Sequence, residues 1–211
     1  MNDNSGTSDS ADGAGRIRIY SATWVMPIVA DPIHKGAVAI EGDKIKAVGA
    51  ASDITAAYPD AEVNDFHHAI ILPGFVNCHS HLEYAVFRGL FDNKNFGPWM
   101  LDFIDDKGKL SRDDYAVSSL LGASECVSSG ITTVGESMYS GTSLAAINES
   151  GLRARAYQEA FGLDDNKINE TMSLLNDKLA ELEAEKGDMD EIGIFPHADY
   201  TVSATLYHPK A

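Results

Sequence analysis

From Ile70 onward the chain alternates short apolar or β-branched runs with amphipathic helical segments, and that alternation restricts it to folds built on a parallel sheet. Ile70-Ile71-Leu72 and Phe75-Val76-Asn77 read as one buried strand. A helix is expected from Asp113 to Ser129, with Tyr115, Leu120, Leu121 and Val127 as its apolar residues and Gly130 as its C-terminal stop. Ile131 to Gly135 reads as the next strand, Ser143 to Ser150 as a short helix and Leu152 to Tyr157 as a third strand. Asn166 to Lys186 is the clearest helix, because Ile168, Met172, Leu175, Leu179 and Leu182 step by four, three, four and three residues and make one stripe suited to packing on a sheet. Glu191 to Phe195 supplies a fourth strand.

The segment before this one has a different texture. Arg16 to Tyr20, Gly36 to Glu41 and Lys44 to Gly49 alternate with period two, the mark of half-buried strands, and Gly42-Asp43 is a tight-turn pair that joins the last two as a hairpin. The expected organisation is a floppy tail over residues 1–15, a small β-rich unit over 16–69 and a βα unit over 70–211. The fold class is α/β.

Sixteen Lys and Arg against 32 Asp and Glu leave a formal net charge of -16, which repels polyanions and argues against nucleic-acid and anionic-membrane partners. The N-terminal segment has neither a basic start nor an apolar core and is not read as a signal peptide. No stretch approaches the roughly 18 consecutive apolar residues of a membrane-spanning helix. Cys78 and Cys126 have no disulfide or zinc-knuckle spacing, so a reducing cytoplasm is the expected location.

The candidate chemistry begins with His79-Ser80-His81 at the exit of the first βα strand. Residues i and i+2 of a strand share a face, so the two imidazoles lie side by side and can chelate one divalent ion. Such an ion lowers the pKa of a bound water towards neutrality and makes hydroxide available at physiological pH. On spacing alone a His-x-His pair is more often incidental than metal-binding; the residues around it decide.

Leu72-Pro73-Gly74-Phe75-Val76-Asn77-Cys78-His79-Ser80-His81-Leu82-Glu83 closely resembles the opening barrel motif L-P-G-x-x-x-x-H-x-H of the amidohydrolase superfamily. Phe87-Arg88-Gly89-Leu90 with Phe96 and Trp99, then Gly130 to Val134, and Pro196-His197-Ala198-Asp199-Tyr200-Thr201-Val202-Ser203 extend the likeness towards the cytosine deaminase, adenosylhomocysteine deaminase and triazine chlorohydrolase branch. The resemblance implies a partial TIM (β/α)8 barrel, its first four or so βα units, preceded by a small β-sandwich. It implies one divalent metal ion held by His79 and His81, with zinc preferred over iron, and His197 as the catalytic, substrate-side histidine. The absence of lysine between Ile192 and Tyr200 implies a single-metal site, since two-metal members bridge their metals with a carbamylated lysine there.

The implied activity is hydrolytic deamination of an amino-substituted heterocycle or nucleoside, a small-molecule substrate, with loss of chloride or amine from a triazine-type ring as the alternative. A non-catalytic metal- or partner-binding fragment is a further reading. Arg88, Trp99, Glu136 and Glu159 are candidates for lining the pocket: Arg88 for an anionic or carbonyl group, Trp99 for stacking, the glutamates for amino-group contacts. Arg88 and Glu159 pairing at the rim, and Trp99 in the core, remain open alternatives. Gly97-Pro98 stands where adenine-nucleoside members commonly carry a ribose-binding glutamate, and Asp199 replaces a family proline. The family's third metal histidine, its H-x-x-E glutamate and its eighth-strand aspartate have no counterpart here, and His208 reads as a surface residue. The chain is thus expected to be an N-terminal half with weak or absent turnover alone, and its protein partners to be a second copy or a complementing C-terminal half.

Overall fold

The computed structural model describes residues 15–207. The tail expected over 1–15 lies, apart from Gly15, outside the described residues, as does His208. Contacts divide the chain between Pro73 and Gly74 into two compact units.

The first unit is a five-stranded sheet with one helix. Its elements are β1 (Ile17–Val25), β2 (Ile33–Glu41), β3 (Lys44–Ala50), α1 (Ala51–Ala57), β4 (Glu62–Asp65) and β5 (Ile70–Ile71). The order is β3-β2-β1-β4, with β5 also paired to β1. The expected hairpin is present: β2 and β3 run antiparallel with Glu41 opposite Lys44, and Gly42 takes the positive φ of 59° that its tight turn requires. Ile19, Ala37 and Ala39 pack with Ile54 of α1 to form the core, so the alternating residues have a helix to bury against.

Ile70-Ile71 departs from expectation. Rather than opening the second sheet in one run with Phe75, the pair adds to β1 in parallel, Trp24 opposite Ile70 and Val25 opposite Ile71. Pro73 explains the break, since its ring removes the N–H that a continuing ladder needs. Phe75 and Val76, read as buried, are 55% and 62% exposed.

The second unit carries the parallel sheet. It comprises β6 (Phe75–Ser80), a 3-10 turn at Leu82–Phe87, α2 (Phe96–Lys107), α3 (Arg112–Ser128), β7 (Ile131–Met138), α4 (Ser143–Ser150), β8 (Arg153–Ala160), α5 (Ile168–Glu185), β9 (Asp190–Pro196) and α6 (Ala204–Tyr207). The strands run β6-β7-β8-β9, every neighbouring pair parallel. α3 starts at a capping box, Ser111 accepting from the Asp114 N–H while the Asp114 carboxylate accepts from Ser111. Gly130, just past its end, takes φ 79°. Leu175 and Leu182 of the predicted stripe are buried. α2 is not among the helices expected from the sequence; Gly97 and Pro98 fall in its first turn, where the missing N–H of proline breaks no intrahelical bond.

Val134, Met138, Ala154 and Ala156 point from the sheet into a core completed by Ala123 and Cys126 of α3, Leu144 and Ile147 of α4 and Leu182 of α5. The alternate residues of the same strands therefore face away from the helices. That second face carries the candidate site. Cys78 and Cys126 are both free, and no helix among the described residues is long and apolar enough to cross a membrane.

Candidate active site

His79 and His81 stand at the C-terminal end of β6 on the face opposite the α3, α4 and α5 core, their ring centroids 5.0 Å apart and nearly perpendicular. His81 Nδ1 lies 3.0 Å from the Ser137 carbonyl. A carbonyl only accepts, so Nδ1 carries the proton and Nε2 keeps its lone pair, the tautomer a metal-binding imidazole needs. Burial, then the neighbouring His79, push the His81 pKa down, which favours the neutral ring. The donor set thus fits a divalent ion as two imidazole ligands. Among the described residues no group of three or more His, Cys, Asp or Glu is arranged to hold a metal, so these two stand without a third protein ligand beside them.

His197 follows β9, two strands from β7 across the sheet. Its backbone N–H donates to Ala160 O at 3.2 Å, which ties it to the end of β8. Thr201 Oγ1 donates to the Ala198 carbonyl and lies 2.9 Å from His197 Nδ1, so Nδ1–H donates to that oxygen and Nε2 is left free. The ring packs on Phe161 at 4.6 Å. Burial, then the charge of Lys107, lower its pKa.

His81 and His197 line one cavity of about 740 Å³, together with Arg88, Trp99, Lys107 and Glu159. Most of the remaining wall is aromatic, including Tyr84, Phe87, Phe103 and Phe161. Trp99 stacks on Phe103 with centroids 5.5 Å apart and planes 6° from parallel. Arg88 reaches the cavity from the end of the 3-10 turn but is ion-paired with Glu125 of α3, not with Glu159. Glu159 is 6% exposed and faces away from the helix-packed core residues Ala154 and Ala156. Its Oε1 has no hydrogen-bond partner among the described residues. Burial pushes its carboxyl up to about 7, against the opposing pull of Lys107.

Glu136 goes elsewhere. It shares strand parity with Val134 and Met138, so it points into the helix-packed core and does not line the cavity. There it accepts from Ser80 Oγ at 2.6 Å, Ser143 Oγ at 2.6 Å and the Leu82 N–H at 2.9 Å, and burial pushes it up to about 7. Its role is to join the end of β6 to β7 and the start of α4.

Three further residues shape the site without having been singled out. Glu83, fully buried, gathers the loop after β7 by accepting from the N–H groups of Tyr139, Ser140, Gly141 and Thr142 at 2.8–3.0 Å. Tyr84 stacks on His81 at 5.3 Å. Lys107, at the end of α2, places Nζ 3.6 Å from the Tyr139 ring centroid and 3.2 Å from the Tyr84 hydroxyl. Glu83 and Tyr84 directly follow the histidine pair and could have been suspected; nothing in the sequence flags Lys107, because α2 itself was not predicted.

The sequence model of the amidohydrolase family matches residues 70–208, and that of the bacterial imidazolonepropionase-like composite domain matches 36–61. Among curated proteins, a 5'-deoxyadenosine deaminase of Methanobrevibacter smithii is 36% identical over 179 residues, covering 82% of this chain and 40% of the relative. The chain spans about 40% of the length of the first curated relatives it matches. Among solved structures, an aminofutalosine deaminase of Helicobacter pylori in complex with methylthio-coformycin aligns with TM-score 0.73 at 21% identity, over 90% of this chain and 46% of that one. An adenosine deaminase of Xanthomonas campestris with bound zinc aligns with TM-score 0.74 at 20% identity, over 93% and 46%.

Proposed function

The chain belongs to the amidohydrolase family, and on that premise we propose that its cavity serves the hydrolytic removal of an amino group from a nucleoside-like heterocycle. In this reading the parallel sheet β6-β7-β8-β9 is the first part of a (β/α)8 barrel, whose active sites form at the C-terminal ends of the strands, and the sheet of the first unit is part of a composite domain. The observation that carries the proposal is the His79–His81 pair at such an end, with His81 Nδ1 held by Ser137 O and His197 on the same cavity. The deaminase names of the relatives support the choice of reaction.

His79 and His81 would hold one divalent ion, zinc by analogy with the Xanthomonas relative. Such an ion, when bound, supplies the Lewis acidity that makes water nucleophilic near neutral pH. The chain's own residues do the rest. His197 Nε2, free because Nδ1 is committed to Thr201, is available to bond the heterocycle or the group that develops charge on it. Trp99 and Phe103 form a stacked wall against which a flat ring packs. Aromatic side chains make up most of the wall of the cavity that His81, His197 and Glu159 share.

Zinc binding tests this reading. The chain, stripped with chelator and dialysed against zinc, is expected to retain metal that is lost in both His79→Ala and His81→Ala. Metal content unchanged in both variants would remove the basis for the site.

A further inference from the structure

We propose, building on the reading of His79 and His81 as metal ligands, that Glu136 is their positioning residue and acts from the opposite face of the sheet through Ser80 and the Leu82 N–H. The strand ladder alone does not fix the histidines. Between paired positions Asn77–Val134 and Ser80–Glu136, β6 advances three residues while β7 advances two, so one residue of β6 bulges out of register where the histidines begin. The His79 N–H turns to the side-chain Oδ1 of Asn77 at 3.2 Å, a bond within β6. The bulge presses on β7: a Cβ on Gly135 would lie 2.6 Å from the Cys78 carbonyl oxygen.

A segment out of register needs other fixings, and Glu136 and Ser137 supply them. The Ser137 carbonyl accepts from His81 Nδ1–H. Glu136 holds both chain neighbours of His81: its Oε2 accepts from Ser80 Oγ at 2.6 Å, and its Oε1 accepts from the Leu82 N–H at 2.9 Å. Because Ser80 alternates with the histidines, these bonds lie on the helix-packed side and leave the cavity side free. Glu136 is fully buried, so water does not compete for its donors. Fixing residues 80 and 82 fixes the backbone of His81 between them, and with it the direction in which the ring leaves the strand. The two imidazoles have no third protein ligand beside them among the described residues. Their hold on an ion therefore depends on being in place before it arrives. The remaining bond of the same carboxylate, from Ser143 Oγ at 2.6 Å, leads to α4 and away from the histidines.

The two serines give a matched comparison, since each donates at 2.6 Å to one carboxylate and only Ser80 stands between the histidines. Zinc affinity of the full chain, measured by competition with a chromophoric chelator, is expected to fall about tenfold or more in Ser80→Ala and to stay within about twofold in Ser143→Ala. Melting temperatures of the two variants should fall alike. Glu136→Gln, which keeps a partner for each donor, is expected to hold zinc within about threefold of the parent, and Glu136→Leu to lose about tenfold or more. A second readout needs no metal: the His81 tautomer in the zinc-free chain, followed by long-range 15N–1H NMR at pH 8, above the ordinary imidazole pKa of about 6.5, and assigned by its loss in His81→Gln. The parent and Ser143→Ala should show Nδ1–H, and Ser80→Ala a mixture. Equal loss of zinc affinity in both serine variants, or parental affinity in Ser80→Ala or in a folded Glu136→Leu, would overturn the proposal. The serine comparison decides the matter if Glu136→Leu does not fold. A parent that binds no zinc, but whose His81 tautomer still depends on Ser80, would sink the metal reading and keep the positioning. Zinc held by the parent and lost in His79→Ala and His81→Ala, yet unmoved in Ser80→Ala, would keep the metal site and sink the positioning.

Discussion

Replacing Glu83 with glutamine is expected to loosen the end of the sheet where the site is built. The Glu83 carboxylate accepts at both oxygens: Oε2 from the N–H groups of Tyr139 and Ser140, Oε1 from those of Gly141 and Thr142 and from Ser140 Oγ. Only a group with acceptors on both arms satisfies that ring of donors. In Glu83→Gln one arm becomes an NH2, so whichever way the amide turns, two backbone donors are stranded and face another donor. At roughly 1–3 kcal/mol for each stranded buried donor, the loss is about 4 kcal/mol. At about 2–4 °C per kcal/mol for a chain of this size, the melting temperature should fall by about 8–16 °C. Urea unfolding followed by circular dichroism gives the first number, and amide exchange locates it, with protection lost at residues 139–142. A loss under about 1 kcal/mol, or unchanged protection at those amides, would refute the assignment of Glu83 as the clamp of this loop.

Two other outcomes follow from the geometry. The Glu136 carboxyl, raised to about 7 in the folded chain from 4.5, is most stabilising when protonated. Its contribution is present below about pH 4.5 and is lost as pH rises through about 7. Glu136→Gln keeps an acceptor for Leu82 and Ser143, while its NH2 can donate to Ser80 Oγ, whose own hydrogen turns to Gly135 O. The variant should therefore show a smaller fall in unfolding free energy between pH 5 and pH 8 than the parent, and an identical fall would show that Glu136 is not the titrating group. Gly135→Ala should cost about 2 kcal/mol by overpacking, because a Cβ there meets the Cys78 carbonyl oxygen at 2.6 Å and forces β6 from β7; a denaturant midpoint equal to that of the parent would contradict it.

Much of this arrangement could be read in the sequence. Period-two alternation and the Gly42-Asp43 turn identify the hairpin, the stripe from Ile168 to Leu182 identifies α5, and Gly130 marks the end of α3, because each is a local signal whose physics acts within a few residues. His79 and His81 were readable for the same reason, since strand parity alone puts them on one face. Glu136 and Glu159 were not separable in this way. Both are buried glutamates near strand ends, and which face of the sheet meets the helices is decided by packing across α3, α4 and α5. Ile70-Ile71 found its partner in β1, more than forty residues earlier, because Pro73 ended the ladder that local pattern had extended. Lys107 shows the limit most sharply: it belongs to the cavity only because the end of α2 brings its ammonium among the rings of Tyr84, Phe103, Tyr139 and Phe161. Parity and turn chemistry are encoded residue by residue and determined the frame; the pairing of distant charges and rings depends on long-range packing, and only the tertiary structure decided which of them share the cavity.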